Sequence, residues 1–129
     1  MGLKNYDPSQ FFIGTVLHIN CGKSRLGDVR TNQFSIKPGV LWADCHDLPF
    51  PDASFDTVMI SQVPVNDRLV ERQKWLDELA RVARKRVVIA GDAVFRVPGF
   101  RFSFFYAATD RPKATIMTVY DREEGGAAL

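Results

Sequence analysis

Apolar positions along this chain gather into short dense runs separated by loops, and their spacing tells strand from helix. "GTVLHIN" (14–20), "GVLWAD" (39–44), "FDTVMIS" (55–61) and "KRVVIAGD" (85–92) are near-continuous apolar runs, the pattern of strands buried on both faces. "DVRTN" (28–32) is shorter and carries β-branched Val29 and Thr31, which fits one more strand. "NDRLVERQKWLDELARVARK" (66–85) reads differently: Leu69, Leu76, Leu79 and Ala83 recur at spacings of seven, three and four, flanked by Trp75 and Val82. That predicts an amphipathic helix with Asn66 or Asp67 as N-cap and the basic Arg84-Lys85-Arg86 cluster at its end. Strand, helix and strand make a right-handed βαβ unit. "FRFSFFYAATD" (100–110) and "KATIMTVYDRE" (113–123) are aromatic and β-branched and closely joined, so they predict an antiparallel hairpin.

Length and composition narrow this picture little. At 129 residues the chain is expected to be a single domain, 1–129, with 1–13 as an N-terminal extension and 124–129 as a frayed tail. A hydrophobic share of 46% and a charged share of 25% are those of an ordinary globular protein. A net charge of +2 neither argues for nucleic acid nor opposes it. No run approaches the roughly 18 apolar residues of a membrane span, and "MGLKNYDPSQFFIG" lacks a secretory h-region. The expectation is therefore no membrane and a cytoplasmic location. Cys21 and Cys45, with His18 and His46 near them, match no zinc spacing. They read as two buried thiols, with no metal.

Candidate chemistry lies where the predicted strands end. Gly22 follows the first strand, Asn32 the second, Asp44 the third, Ser61 the fourth and Asp92 the fifth. In doubly wound sheets ligands sit outside the carboxyl ends of the strands, where strand order reverses. There is no Gly-x-Ser-x-Gly elbow, and "CGKS" lacks the upstream glycine of a phosphate loop. Asp56 opens a strand, at the opposite sheet edge from Asp44, and Asp52 serves a turn, so the acids do not assemble a magnesium cluster.

Three stretches carry a family resemblance. "TVLHINCGKS" resembles the first motif of the class I S-adenosylmethionine-dependent methyltransferases, Val-Leu-Asp-x-Gly-Cys-Gly-x-Gly. "ADCHDLPFPDASFDTVMIS" is similar to their Asp-Ala-x-x-Leu-Pro-Phe-x-Asp-x-Ser-Phe-Asp-x-Val, the most specific match. "LDELARVARKRVVIAGD" resembles the helix and strand that follow. The resemblance, over residues 14 to 120, implies a Rossmann-like methyltransferase sandwich: a mostly parallel sheet closed by the antiparallel hairpin, minimal and missing at least one helix. Between the first loop and 28–32 about six residues intervene, too few for the usual helix.

Carried over residue by residue, the resemblance implies S-adenosylmethionine as cofactor. Asn20, Cys21, Gly22, Lys23 and Ser24 would pass under its methionine part, and Asn32 would meet the ribose in place of the usual acid. Asp44 would accept from the adenine amino group, the Cys45 amide would face the ring and Leu48 would pack on it. Asp47 has no settled role. Departures are His18 at the motif acid, and Asn20 and Ser24 for glycines. Ser61-Gln62-Val63-Pro64 replaces the Asp/Asn-Pro-Pro-aromatic motif of amino-methylating DNA enzymes and is nearer to small-molecule methyltransferases.

The expected function is thus methyl transfer to an unidentified small molecule or nucleic acid, with Ser61 and Asp92 as candidate catalytic residues. His18 or His46 would be a base only against a structural reading of each. The alternative is an inactive methyltransferase-fold binding or assembly module. A nucleic-acid surface of Arg84, Lys85, Arg86, Arg96 and Arg101 beside the Phe hairpin is compatible with either, and a homodimer would complete the short pocket.

Overall fold

The computed structural model describes residues 8–91, 93–108 and 115–123. Seven strands form one sheet: β1 (Val16–Ile19), β2 (Val29–Asn32), β3 (Leu41–Trp42), β4 (Phe55–Ile60), β5 (Ala83–Ala90), β6 (Phe100–Ala108) and β7 (Thr115–Arg122). Their order is β3-β2-β1-β4-β5-β7-β6. The pairs β1–β2, β2–β3, β1–β4 and β4–β5 are parallel, while β7 runs antiparallel to both β5 and β6. The predicted hairpin is therefore present; its turn, 109–114, lies outside the described residues, as do 1–7 of the N-terminal extension and the tail 124–129.

The first crossover manages without a helix because β1 is short. Its 4 residues span about 13 Å, and the segment 20–28 reaches roughly 30 Å when extended, enough to run back and start β2 in register. Asp28 closes the return: its amide donates to the Val16 carbonyl at 2.9 Å and its carboxylate accepts from the Val16 amide at 2.8 Å.

Among the described residues α1 (Leu69–Val82) is the one α-helix, shorter than predicted at both ends. Its N-cap position is Arg68, without a side-chain cap. Asp67 does not cap because its carboxylate is bonded to His46 instead. The helix stops at Val82, where Ala83 enters β5 opposite Phe55, so Arg84, Lys85 and Arg86 are strand residues. Trp75, Leu76, Leu79 and Val82 are buried as the periodicity predicts, but Leu69 is exposed.

Apolar side chains fill both faces of the sheet. Leu17, Ile19, Val58, Ile60, Val87 and Ile89 meet α1, joined by Phe100 and Tyr120 from the hairpin. Met59, Val88, Met117 and Val119 make the other cluster, covered by Phe12, Phe104 and Tyr106. A short 3-10 turn, Pro8–Phe11, sits there, and the Phe11 ring stacks edge-on against Phe104 at 5.2 Å and Tyr106 at 4.8 Å. A bulge between Phe102 and Phe104 flips the alternation, which leaves Phe102 and Phe105 together on the α1 side and exposed.

The third strand departs from the sequence reading. β3 has two residues, with Leu41 47% and Trp42 59% exposed, and Phe34 and Ile36 before it are 56% and 89% exposed. An apolar run does not guarantee burial on both faces at a sheet edge that no helix covers. No helix of the described residues is long and apolar enough to cross a membrane.

Candidate functional site

Strand order reverses between β1 and β4, and the groups singled out by sequence gather at the carboxyl ends around that point. Asn20 adopts φ +54 and Gly22 φ +58, so the chain turns sharply out of β1. Asn20 tolerates the left-handed region better than most residues and Gly22 does so without cost. Gly22 is also in close quarters: a Cβ there would lie 2.8 Å from the Gln62 side-chain nitrogen. Cys21 is buried, its amide bonded to the Thr31 carbonyl at 3.0 Å. Ser24 Oγ accepts from the Leu26 amide at 3.1 Å, and Lys23 is exposed. Asn20 is fully buried; its Nδ2 donates to the Gln62 carbonyl at 3.0 Å, and its Oδ1 has no hydrogen-bond partner among the described residues.

The ends of β2 and β3 come together next. Asn32 is buried, and its Oδ1 accepts from the Phe34 amide at 2.9 Å. The Cys45 amide donates to Gln33 Oε1 at 3.0 Å. A turn from Asp44 to Asp47 brings His46 back over Asp44. Asp44 Oδ1 accepts from both the His46 amide at 2.9 Å and His46 Nδ1 at 2.6 Å. His46 Nε2 reaches Asp67 Oδ2 at 2.6 Å. Both ring partners are carboxylates, which only accept, so both ring nitrogens donate and the ring is an imidazolium. Burial pulls the His46 pKa down, but the bonds to Asp67 and Asp44 outweigh it and the net shift is upward. For Asp44, burial pushes up and the His46 bonds win, so its pKa falls. Cys45 is sealed, and burial pushes its thiol up to about 12, as expected for an inert structural cysteine. The donor atoms of Asp44, Cys45 and His46 lie within 4.8 Å of one another, and the His46 ring nitrogens are bonded to carboxylates.

Leu48 lies in the core under α1 rather than open to a ring. The connection that carries it is tied to the helix by Arg81. That guanidinium binds Glu78 at 2.7 and 3.0 Å, the Phe50 carbonyl at 2.7 Å and the Leu48 carbonyl at 3.0 Å. Glu78 in turn accepts from the Leu48 amide at 2.7 Å. The Arg81 bonds, ahead of burial, hold the Glu78 pKa down.

Ser61 follows β4, half-buried, and its hydroxyl meets His18 Nε2 in a short contact. Sequence reasoning named both residues without pairing them. Asp92, the other catalytic candidate, lies outside the described residues. A cleft of about 280 Å³ opens beside Val63, Pro64 and Val65, walled by Arg72, Trp75, Ala90 and Phe95. Of the proposed nucleic-acid cations, Arg86 is committed to Asp121 at 2.7 Å and Arg84 lies 3.4 Å from Asp56. Arg96 sits in the loop beyond the carboxyl end of β5, away from Arg84 and Lys85 at its start, and Phe104 is packed on Phe11.

A sheet in this order, closed by an antiparallel hairpin, is that of a class I methyltransferase-type fold. The sequence profile of the methyltransferase domain family matches residues 6–90, and the chain belongs to that family. Similar solved structures include the magnesium protoporphyrin IX methyltransferase of Synechocystis with bound S-adenosylmethionine: 15% identity over 85% of this chain and 70% of that one, TM-score 0.62. A Methanosarcina mazei S-adenosylmethionine-dependent methyltransferase is 14% identical over 91% and 97%, TM-score 0.64. A Haloferax volcanii complex of the Trm112 methyltransferase activator with a methyltransferase matches at 14% identity over 86% and 82%, TM-score 0.61. No curated protein is significantly similar in sequence. Likeness at these identities is likeness of fold.

Proposed function

We propose that this chain is an S-adenosylmethionine-dependent methyltransferase, a single domain across 1–129 acting in the cytoplasm on a small acceptor. The observation that carries this reading is Asn20: a fully buried amide oxygen with no hydrogen-bond partner among the described residues, at the turn where the family's cofactor loop begins. A buried acceptor left unsatisfied costs about 1–3 kcal/mol, and a donor on a bound cofactor would remove that cost. Asp44 supplies a second point of fit, since both bonds it accepts from His46 end on Oδ1. Its Oδ2 is left for the adenine amino group, on a side chain 46% exposed.

When bound, S-adenosylmethionine supplies a methyl group on an electrophilic sulfonium. The chain's part is positioning. Gly22, Lys23 and Ser24 form the loop beneath the methionine part. Asn32 and the Cys45 amide face ribose and adenine once Phe34 and Gln33 yield their bonds. His46, held between Asp44 and Asp67, ties the adenine-side carboxylate to the segment leading into α1 and so fixes its orientation. The acceptor enters the cleft beside Val63 and Phe95. A second copy or other partner covering the open flank at β3, where Leu41 and Trp42 meet solvent, would shelter the adenine side.

Isothermal titration of the full chain with S-adenosylmethionine and S-adenosylhomocysteine tests the reading, with Asp44→Ala as control. Binding that is lost in Asp44→Ala supports it; no heat from well-folded wild type overturns it. One observation favours the second reading, a cofactor-free binding or assembly module: Asn32 Oδ1 and the Cys45 amide already have internal partners at 2.9 and 3.0 Å. That reading predicts folded protein with no heat for either ligand.

A further inference from the structure

His18 stands in the middle of the site with no task in positioning the cofactor. It lies on β1, 1% exposed, where the family motif carries an acid. Its Nδ1 is 3.0 Å from the Leu26 carbonyl. A carbonyl oxygen only accepts, so Nδ1 holds the proton, and in a neutral ring Nε2 is then the acceptor. The group facing Nε2 is the Ser61 hydroxyl, which therefore donates. Gly27 passes close to this residue: a Cβ there would come within 2.9 Å of the His18 Cβ. The charged groups around it are Arg30, in register on β2, and Asp28 at the head of that strand, whose carboxylate is bonded to the Val16 amide. Burial lowers the His18 pKa below 6.5 and Arg30 adds to this, against the Leu26 bond. The ring is thus a neutral base at physiological pH, with its Nε2 facing a hydroxyl at the carboxyl end of β4.

We propose that Ser61 and His18 form a proton-accepting dyad, Ser61 touching the acceptor and His18 acting through it, and that the acceptor is a neutral hydroxyl on an apolar body. The acceptor class rests on the methyl-transfer reading. A carboxylate reaches such a site already deprotonated, a thiol ionises far more readily than an alcohol, and an amine attacks through its lone pair and sheds its proton to water afterwards. A neutral hydroxyl is a weak nucleophile unless its proton leaves during transfer. The acceptor proton moves to Ser61 Oγ while the Ser61 proton moves to His18 Nε2, which ends as imidazolium. The acceptor oxygen forms the bond to the methyl carbon, and the carbon–sulfur bond breaks with its electron pair left on the sulfide. The lining of a cleft of about 280 Å³ begins two residues along the chain from Ser61, where Val63, Trp75 and Phe95, with Arg72 beside them, suit a small, largely apolar body.

The same pairing makes Ser61 an activated nucleophile, so diisopropyl fluorophosphate is the probe. With wild-type protein one diisopropylphosphoryl group should appear on Ser61 by peptide mass spectrometry. The Ser61 oxygen bonds phosphorus, fluoride leaves and the proton goes to His18 Nε2. The labelling rate should fall in acid with a midpoint below 6.5, vanish in Ser61→Ala and drop about 100-fold in His18→Gln. Nitrogen NMR of the wild-type imidazoles adds a readout independent of any variant's folding: at pH 7 His18 should be protonated at Nδ1 and bare at Nε2. Unlabelled folded wild type, a labelling rate indifferent to His18→Gln, or a proton on Nε2 each overturns the dyad. Titration with S-adenosylmethionine separates the two readings. Labelling without cofactor binding keeps the dyad and removes methyl transfer, whereas cofactor binding without labelling removes the dyad alone.

Discussion

Arg81→Ala should be among the most damaging single changes on α1, although Arg81 touches neither the core centre nor the proposed acceptor. Its guanidinium makes bonds at 2.7 and 3.0 Å to Glu78, 2.7 Å to the Phe50 carbonyl, 3.0 Å to the Leu48 carbonyl and 3.0 Å to Asp52. Asp52 is 81% exposed, so that pair contributes little. Four bonds remain, each involving a charged group and worth about 1.5 kcal/mol at the low end of the range for such bonds. Water can replace part of them in the variant, since Arg81 is 31% exposed, but Glu78, at 15%, is left with its charge poorly compensated. A net loss of about 3 kcal/mol follows when roughly half of the bonding is recovered from solvent. With an m-value near 1.5 kcal/mol/M, the urea midpoint should fall by about 2 M. Arg81→Lys keeps the charge but not the planar fork and should lose about half as much. The assay is equilibrium urea unfolding followed by Trp fluorescence. If Arg81→Ala unfolds within about 0.5 kcal/mol of wild type, the connection from Leu48 to Asp52 is not held by this fork and the reasoning fails.

Other expectations concern the site itself. The His46 pKa is raised in the fold, so its clamp on Asp44 and Asp67 stabilises fully below the unfolded value of about 6.5. That contribution is lost as pH rises through the folded pKa. The difference in melting temperature between wild type and His46→Gln should therefore shrink as pH rises above about 6.5, and a gap that widens with pH would contradict the imidazolium assignment. Gly27→Ala adds a side chain at φ +104 within 2.9 Å of the His18 Cβ and should cost about 2 kcal/mol in thermal unfolding. Cys45, with its thiol near 12 and no exposed surface, should resist iodoacetamide at pH 8 until urea unfolds the chain; rapid alkylation of native protein would contradict its burial.

Much of the architecture was legible along the chain. Dense apolar runs mark β1, β4 and β5, a helical stripe marks α1, and the alternation of Phe100 to Tyr106 marks the hairpin. These features are local, set by the period with which side chains face a core. The scarcity of residues between Ile19 and Val29 likewise announced the missing helix. Elsewhere a neighbour in space decides. Asp67 looks like a cap until His46 takes its carboxylate, and the helix then begins at Leu69. Leu41 and Trp42 look like core until β3 proves to be an edge with no helix over it.

The site shows the division most plainly. Sequence named Asn20, Asp44 and Ser61 through motif and strand end, yet it left His18 and His46 without partners. His18 and Ser61 are 43 residues apart, and His46 and Asp67 are 21 apart. No periodicity reaches across such distances, because the pairings follow from strand order and register rather than from local spacing. Composition and pattern determined which elements form and which residue types stand at their ends. Only the packed sheet decided which of those residues share a proton, since hydrogen bonds act over about 3 Å and the chain brings partners that close only by folding.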